Sequence, residues 1–140
     1  MGQPPKKHTI LLVEDEKSLQ VLVKTMLEEA GHAVLAASSG TEAWTLFSSA
    51  GGSIDLVLTD LGLPGVEGWD LCRKLKMVSP ELPIVVASGD PDSMASERLA
   101  EVGVSAFIRK PFSNEELLEE IDRILSRGNV SRLRTPTPNS

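Results

Sequence analysis

Ile54-Asp55-Leu56-Val57-Leu58-Thr59-Asp60-Leu61-Gly62-Leu63-Pro64-Gly65 is the stretch that decides the fold of this chain. A short apolar run ends in a carboxylate, Asp60, and a Gly/Pro-rich loop follows. A run of this length bounded by turn residues reads as a strand buried on both faces. A carboxylate at the carboxyl end of such a strand sits where open α/β sheets bind their ligands. Asp60 follows residues too apolar for it to be a casual surface charge, although bracing the next loop would also account for it.

The same grammar recurs on both sides. Thr9 to Val13 is an apolar run that ends in Glu14-Asp15, and Leu19, Leu22, Val23, Met26 and Leu27 then recur at helical spacing until Gly31. His32 to Ala37 is a second run. A possible capping box, Ser39 with Glu42, opens a helix through Ala43, Trp44, Leu46 and Phe47, closed by Gly51-Gly52. After the Asp60 strand, a helix carries Trp69, Leu71, Cys72 and Leu75 and stops near Pro80. Leu82 to Ala87 is the fourth run and ends at Ser88-Gly89. A weaker helix follows, opened by Asp90-Pro91 and ended by Gly103. Ser105 to Ile108 is the fifth run and ends at Arg109-Lys110-Pro111. A second capping box, Ser113 with Glu116, starts a helix through Leu117, Leu118, Ile121, Ile124 and Leu125.

Five βα units imply a parallel sheet with helices on both faces, and five cannot close an eight-stranded barrel. The expected architecture is α/β: a doubly wound, five-stranded parallel sheet of order 2-1-3-4-5 with five helices. Residues 1–7 read as a disordered lead-in, 8–127 as one domain, and 128–140, rich in Ser, Thr, Pro and Asn, as a flexible tail or linker stub.

Bulk composition narrows the function. Fourteen basic against twenty acidic residues give 14 − 20 = −6, which argues against direct nucleic-acid binding, since that needs a basic footprint. Cys72 is the only cysteine, so an internal disulfide and a structural zinc finger are both excluded. No apolar run can span a bilayer and no secretory signal is read, so the expected setting is the cytoplasm, without membrane contact.

Three carboxylates and one ammonium are thus predicted to converge on one rim. Asp15 can ligate a cation directly while Glu14 orients a bound water, Asp60 joins them, and Gly62 offers a backbone carbonyl. Hard oxygen donors without His or thiolate favour Mg²⁺ or Mn²⁺. A carboxylate beside such a cation can attack phosphorus and form an acyl phosphate. The Ser88 hydroxyl can donate to a phosphoryl oxygen with Gly89 allowing close approach, and Lys110 can reach a phosphate. Each signal has an ordinary structural explanation when taken alone. Glu14-Asp15-Glu16 suits an acidic helix start, Ser88-Gly89-Asp90-Pro91 suits a turn, and an aromatic such as Phe107 in a strand is usually core.

Taken together, Ile-Leu-Leu-Val-Glu-Asp-Glu at 10–16, Asp-Leu-Gly-Leu-Pro-Gly-Val-Glu-Gly at 60–68, Ser88-Gly89 and Phe-Ile-Arg-Lys-Pro-Phe at 107–112 resemble a response-regulator receiver domain, over about residues 8 to 127. The resemblance implies a flavodoxin-like fold and a place in a two-component phosphorelay. It makes Asp60 the phosphoacceptor, Glu14 and Asp15 the acidic pair, and Gly62 the backbone metal ligand. Ser88 becomes the switch hydroxyl, Lys110 the phosphate-pairing lysine and Phe107 the switch aromatic. The implied partners are a sensor histidine kinase or histidine phosphotransfer protein, and a downstream protein at the surface of the fourth helix, fifth strand and fifth helix. The family also suggests dimerisation on phosphorylation. Ser88 stands where threonine is more common; serine lacks the methyl that restricts χ1, which predicts looser coupling to Phe107. A stand-alone receiver and a receiver from a hybrid kinase both fit. The competing reading is a pseudo-receiver that binds partners without taking phosphate. A haloacid-dehalogenase-like phosphatase would need an aspartate at Gly62, and three acids after the first strand would repel a dinucleotide.

Overall fold

The alternating apolar runs fold as βα units in a computed structural model that describes residues 8–50, 52–61, 68–89 and 101–133, with the side chains of the last helix to residue 126. In chain order the elements are β1 (Thr9–Val13), α1 (Lys17–Glu29), β2 (Ala33–Ala37), α2 (Gly40–Ala50), β3 (Leu56–Asp60), α3 (Gly68–Val78), β4 (Ile84–Ser88), β5 (Ala106–Arg109) and α4 (Asn114–Leu133). All strand pairs are parallel, in the order β2-β1-β3-β4-β5, as the sequence predicts. Four helices are described rather than five. Residues 101–102 are helical and Gly103 ends them at positive φ, but the expected start at Asp90-Pro91 lies outside the described residues.

Two apolar layers enclose the sheet. Leu11, Val13, Val57, Ile84 and Val86 face Ala43 and Phe47 of α2 and Trp69, Cys72 and Leu75 of α3. Ile10, Leu12, Leu56, Leu58 and Val85 face Val23, Met26 and Leu27 of α1 and Leu117, Ile121, Ile124 and Leu125 of α4. The period-2 alternation of side chains sends alternate strand residues to opposite layers, so central strands must be apolar throughout. Each fully buried Leu, Ile or Val contributes roughly 1.5–3 kcal/mol relative to exposure.

Local chemistry sets the boundaries. The α1 C-terminus closes with Gly31 N–H on Glu28 O at 3.0 Å and His32 N–H on Leu27 O at 3.1 Å, with Gly31 at φ +101°. That is the paired cap a left-handed glycine permits. At α4, Ser113 and Glu116 exchange side-chain bonds to each other's backbone N–H at 3.0 and 2.9 Å, the expected capping box. At α2 the box is offset: Ser39 Oγ accepts from Glu42 N–H, but the Glu42 carboxylate accepts from Ser38 N–H. The α4 backbone continues to Leu133, beyond the expected tail boundary at 127. Among the described side chains of α4, the last buried apolar residue is Leu125.

Two positions are under tighter constraint than their sequence context suggests. Gly68, the first residue of α3, lies against the end of β3. A Cβ added there would lie 2.6 Å from Leu61 Cα and 2.8 Å from the carbonyl oxygens of Asp60 and Leu61. His32 and His8 stand beside each other where β2 and β1 begin, with ring centroids 5.8 Å apart. The Nδ1 atoms of both are buried and have no hydrogen-bond partner among the described residues. Burial, then the neighbouring His8, lowers the His32 pKa, while Asp122 on α4 acts in the opposite sense. Among the described residues, no helix is long and apolar enough to cross a membrane.

Both constraints predict measurable effects. Gly68→Ala forces backbone apart at the end of β3, and its urea midpoint should report a loss of roughly 1–3 kcal/mol; a wild-type midpoint would show that the loop yields freely. The folded pKa of His32 lies below its unfolded value of 6.5, so the fold favours the neutral ring. The stability this supplies is lost as pH falls below about 6.5 and through the folded value. Urea midpoints at pH 7 and pH 5 should fall further for the wild type than for His32→Gln, and equal losses would contradict the assignment.

Candidate functional site

Strand register aligns the polar residues across one end of the sheet. Val13 pairs with Thr59, Asp60 with Ala87, and Ser88 with Arg109. Glu14, Asp60, Ser88 and Lys110 therefore emerge on neighbouring strands at the carboxyl rim. Parallel pairing produces this convergence, since every βα unit delivers its strand end to the same side.

Lys110 bridges the acids. Its Nζ donates to Asp60 Oδ2 at 3.0 Å and to Glu14 Oε1 at 3.1 Å, joining the segment after β5 to the ends of β3 and β1. Burial works against the ammonium, but the hydrogen bonds and charges of Asp60 and Glu14 outweigh it and hold the Lys110 pKa above the ordinary lysine value. The Lys110 N–H also donates to Ser88 O at 3.0 Å, and the Lys110–Pro111 peptide bond is cis.

Glu14 is buried and Asp15 is exposed, yet a carboxylate oxygen from each lies within 4.8 Å of one from Asp60. Burial raises the Glu14 pKa. The Glu16 N–H, which donates to Glu14 Oε2 at 3.1 Å, and the Lys110 ammonium oppose this without cancelling it, and the Asp60 charge adds to the rise. Three carboxylates with one ammonium leave −3 + 1 = −2 when all are ionised. A divalent cation is the natural complement to that charge, and an all-oxygen donor set without nitrogen or sulfur suits Mg²⁺ or Mn²⁺. The expected Gly62 carbonyl ligand lies outside the described residues.

Ser88 is buried at the last position of β4, in reach of the rim. Within the protein, a Cβ at Gly89 would make only ordinary contact, 3.7 Å from Lys110 Cβ. Phe107 is not core. On edge strand β5 it is 40% exposed, beside a groove lined by Arg109, Glu116, Glu119, Glu120 and Arg123.

Two residues of the rim escaped sequence reasoning. Gln20 of α1 is buried and its Nε2 donates to Glu14 O, Ala37 O and Ser38 Oγ at 2.9, 3.0 and 3.2 Å. The available signal was its spacing, since position 20 lies on the same helical stripe as Val23 and Leu27. Leu22, expected on that stripe, is instead 56% exposed. Gly68, which lets α3 start against the Asp60 loop, gave no signal beyond being a glycine.

The model of the response regulator receiver domain family matches residues 10–122. The sensory transduction protein RegX3 of Mycobacterium tuberculosis (strain H37Rv) is 32% identical over 120 residues, which are 86% of this chain and 52% of RegX3. The sensor kinase CckA of Brucella abortus (strain 2308) is 30% identical over 119 residues, 85% of this chain and 13% of the kinase. This chain thus spans about half the length of the first relative and a small part of the second. A response regulator receiver domain protein from Clostridium thermocellum has a similar structure, with TM-score 0.82 and 30% identity, covering 88% of this chain and 98% of that one. Because the family match runs from β1 into the last helix, over the whole sheet and the rim it carries, this chain belongs to the response regulator receiver domains of two-component signalling.

Proposed function

We propose that Asp60 accepts a phosphoryl group from a phosphohistidine of a sensor histidine kinase or a histidine phosphotransfer protein. The observation that carries this reading is the placement of the Asp60 carboxylate 3.0 Å from the Lys110 ammonium, with one of its oxygens within 4.8 Å of carboxylate oxygens of Glu14 and Asp15. An Asp60 oxygen attacks phosphorus, the donor's N–P bond breaks, and its electron pair leaves with the imidazole. Receiver domains of this family typically bind Mg²⁺, and here Asp15 and Asp60 would hold it directly, Glu14 through water and Gly62 through its carbonyl. Bound there, the cation neutralises charge on nucleophile and phosphoryl group. Asp60 also bears the later hydrolysis, so the domain is a switch that catalyses its own phosphorylation and dephosphorylation.

The residues around the acceptor then divide the work. Lys110 already spans Asp60 and Glu14, so it needs only a small movement to pair with phosphoryl oxygens. Ser88, buried on the neighbouring strand, donates its hydroxyl to one of them. Phe107, half out in solvent, turns inward as Ser88 moves, and the surface of β5 and α4 changes shape; the fourth helix expected from sequence as part of that surface begins outside the described residues. Phosphorylation biases a pre-existing two-state element. A downstream protein, or a second copy of this domain, reads that surface. Direct nucleic-acid binding has no part in this reading, and a cytoplasmic setting suits it.

Intact mass after incubation with acetyl phosphate tests the acceptor. The wild type should gain one phosphoryl group only with Mg²⁺ present, and Asp60→Asn should gain none. No adduct on a folded wild type that also fails to bind beryllofluoride would favour a pseudo-receiver. The charge count makes a second prediction. Lys110→Met leaves three carboxylates without their ammonium, so the cation-free protein should lose about 1–3 kcal/mol in urea at pH 7, while Mg²⁺ should bind several-fold more tightly and restore much of the loss. Weaker Mg²⁺ binding by this variant in calorimetry would contradict the charge argument.

A further inference from the structure

We propose that Gln20 is a positioning residue for the cation site, an inference that rests on the metal-binding role proposed above. Gln20 lies in the first turn of α1 and is 6% exposed. Its Nε2 carries two N–H groups spread over three acceptors: Glu14 O at 2.9 Å, Ala37 O at 3.0 Å and Ser38 Oγ at 3.2 Å. The Glu14 N–H in turn donates to Ala37 O at 3.0 Å.

The consequence is geometric. Glu14 O belongs to the peptide unit that ends at the Asp15 nitrogen. That unit is held by Gln20, and the preceding one is held by Ala37, so the backbone of Glu14 is anchored on both sides. The orientation of the Glu14–Asp15 peptide plane sets where the Asp15 Cα–Cβ bond points, and therefore where its carboxylate meets those of Glu14 and Asp60. The sheet cannot supply this anchor. Val13 with Ala37 is the last β1–β2 pair, and beyond it the strands diverge into α1 and α2. A buried carbonyl left there without a donor costs about 1–3 kcal/mol, so a side chain must provide one.

The amide is also suited by charge. A lysine or arginine at position 20 could donate to the same oxygens, but would add a second cation beside a cluster that already holds Lys110. An apolar residue would add no charge but leave the Glu14 carbonyl without this donor, while Ala37 O would keep only the Glu14 N–H. Gln20 supplies the hydrogen bonds and leaves the net −2 of the rim for a divalent ion. Outer residues that orient ligands in this way change metal affinity by about 10- to 100-fold.

These two contributions separate experimentally. Mg²⁺ alone is titrated into the full 140-residue chain by calorimetry at low and high salt, for the wild type, Gln20→Met and Gln20→Lys. Amide ¹⁵N shifts are recorded without metal. Gln20→Met should bind about tenfold more weakly at both salt concentrations, with the Asp15 ¹⁵N shift moved in the metal-free protein. Gln20→Lys should be weakened at low salt and recover towards wild type at high salt, because its added charge is screened. If both variants bind Mg²⁺ as the wild type does while melting earlier, Gln20 is only a structural staple and the proposal is wrong. Should Gln20→Met fail to fold, wild-type affinity of Gln20→Lys at low salt would overturn it. Absence of Mg²⁺ binding by the wild type would instead remove the metal-binding role, and an unmoved Asp15 shift in metal-free Gln20→Met would then overturn the positioning role as well.

Discussion

A single ammonium between two buried-rim carboxylates organises this end of the molecule. Lys110 Nζ lies 3.0 Å from Asp60 and 3.1 Å from Glu14, and its stem rises from the segment after the edge strand β5. The contact joins three strand ends separated by 50 and 96 residues in sequence. Without it the carboxylates of β1 and β3 would face each other with no compensating charge. With it the rim still carries an excess of negative charge when all three acids are ionised, and burial holds the Glu14 pKa above the ordinary glutamate value. An arrangement of this kind is held short of balance, and its excess negative charge would be complemented by a divalent cation.

Around that contact the backbone is anchored from several directions. Gln20 ties the end of β1 to the end of β2, and Gly68 lets the first turn of α3 lie against the β3 terminus. The Lys110 N–H bond to Ser88 O joins β5 to β4 at the same level. Each device answers the same problem. Strands of a parallel sheet lose their hydrogen-bond partners at the rim, where the chain turns away into helices. The site is therefore built where backbone groups most need outside partners, and those partners also orient the acids. Phe107 stands apart from this rigid group. Its exposure on an edge strand leaves it room to change position, and the groove beside it, with Glu116, Glu119, Glu120, Arg109 and Arg123, carries both signs of charge.

Sequence alone determined the strand and helix order, the parallel sheet, and the identity of Glu14, Asp15, Asp60 and Lys110 as one constellation. Those features are local: apolar runs of strand length, glycine stops such as Gly31, the Ser113–Glu116 box, and polar residues placed just after each run. Tertiary structure decided the rest, because it depends on which strands become neighbours and what their ends lack. Burial of Glu14 rather than Asp15 and exposure of Leu22 and Phe107 follow from packing around a residue, which periodicity does not record. Gln20 shows the division most clearly. In the sequence it is a polar residue on an apolar stripe; only when β1 and β2 lie side by side does the Glu14 carbonyl need a donor that an amide at that position can supply while also reaching Ala37 O.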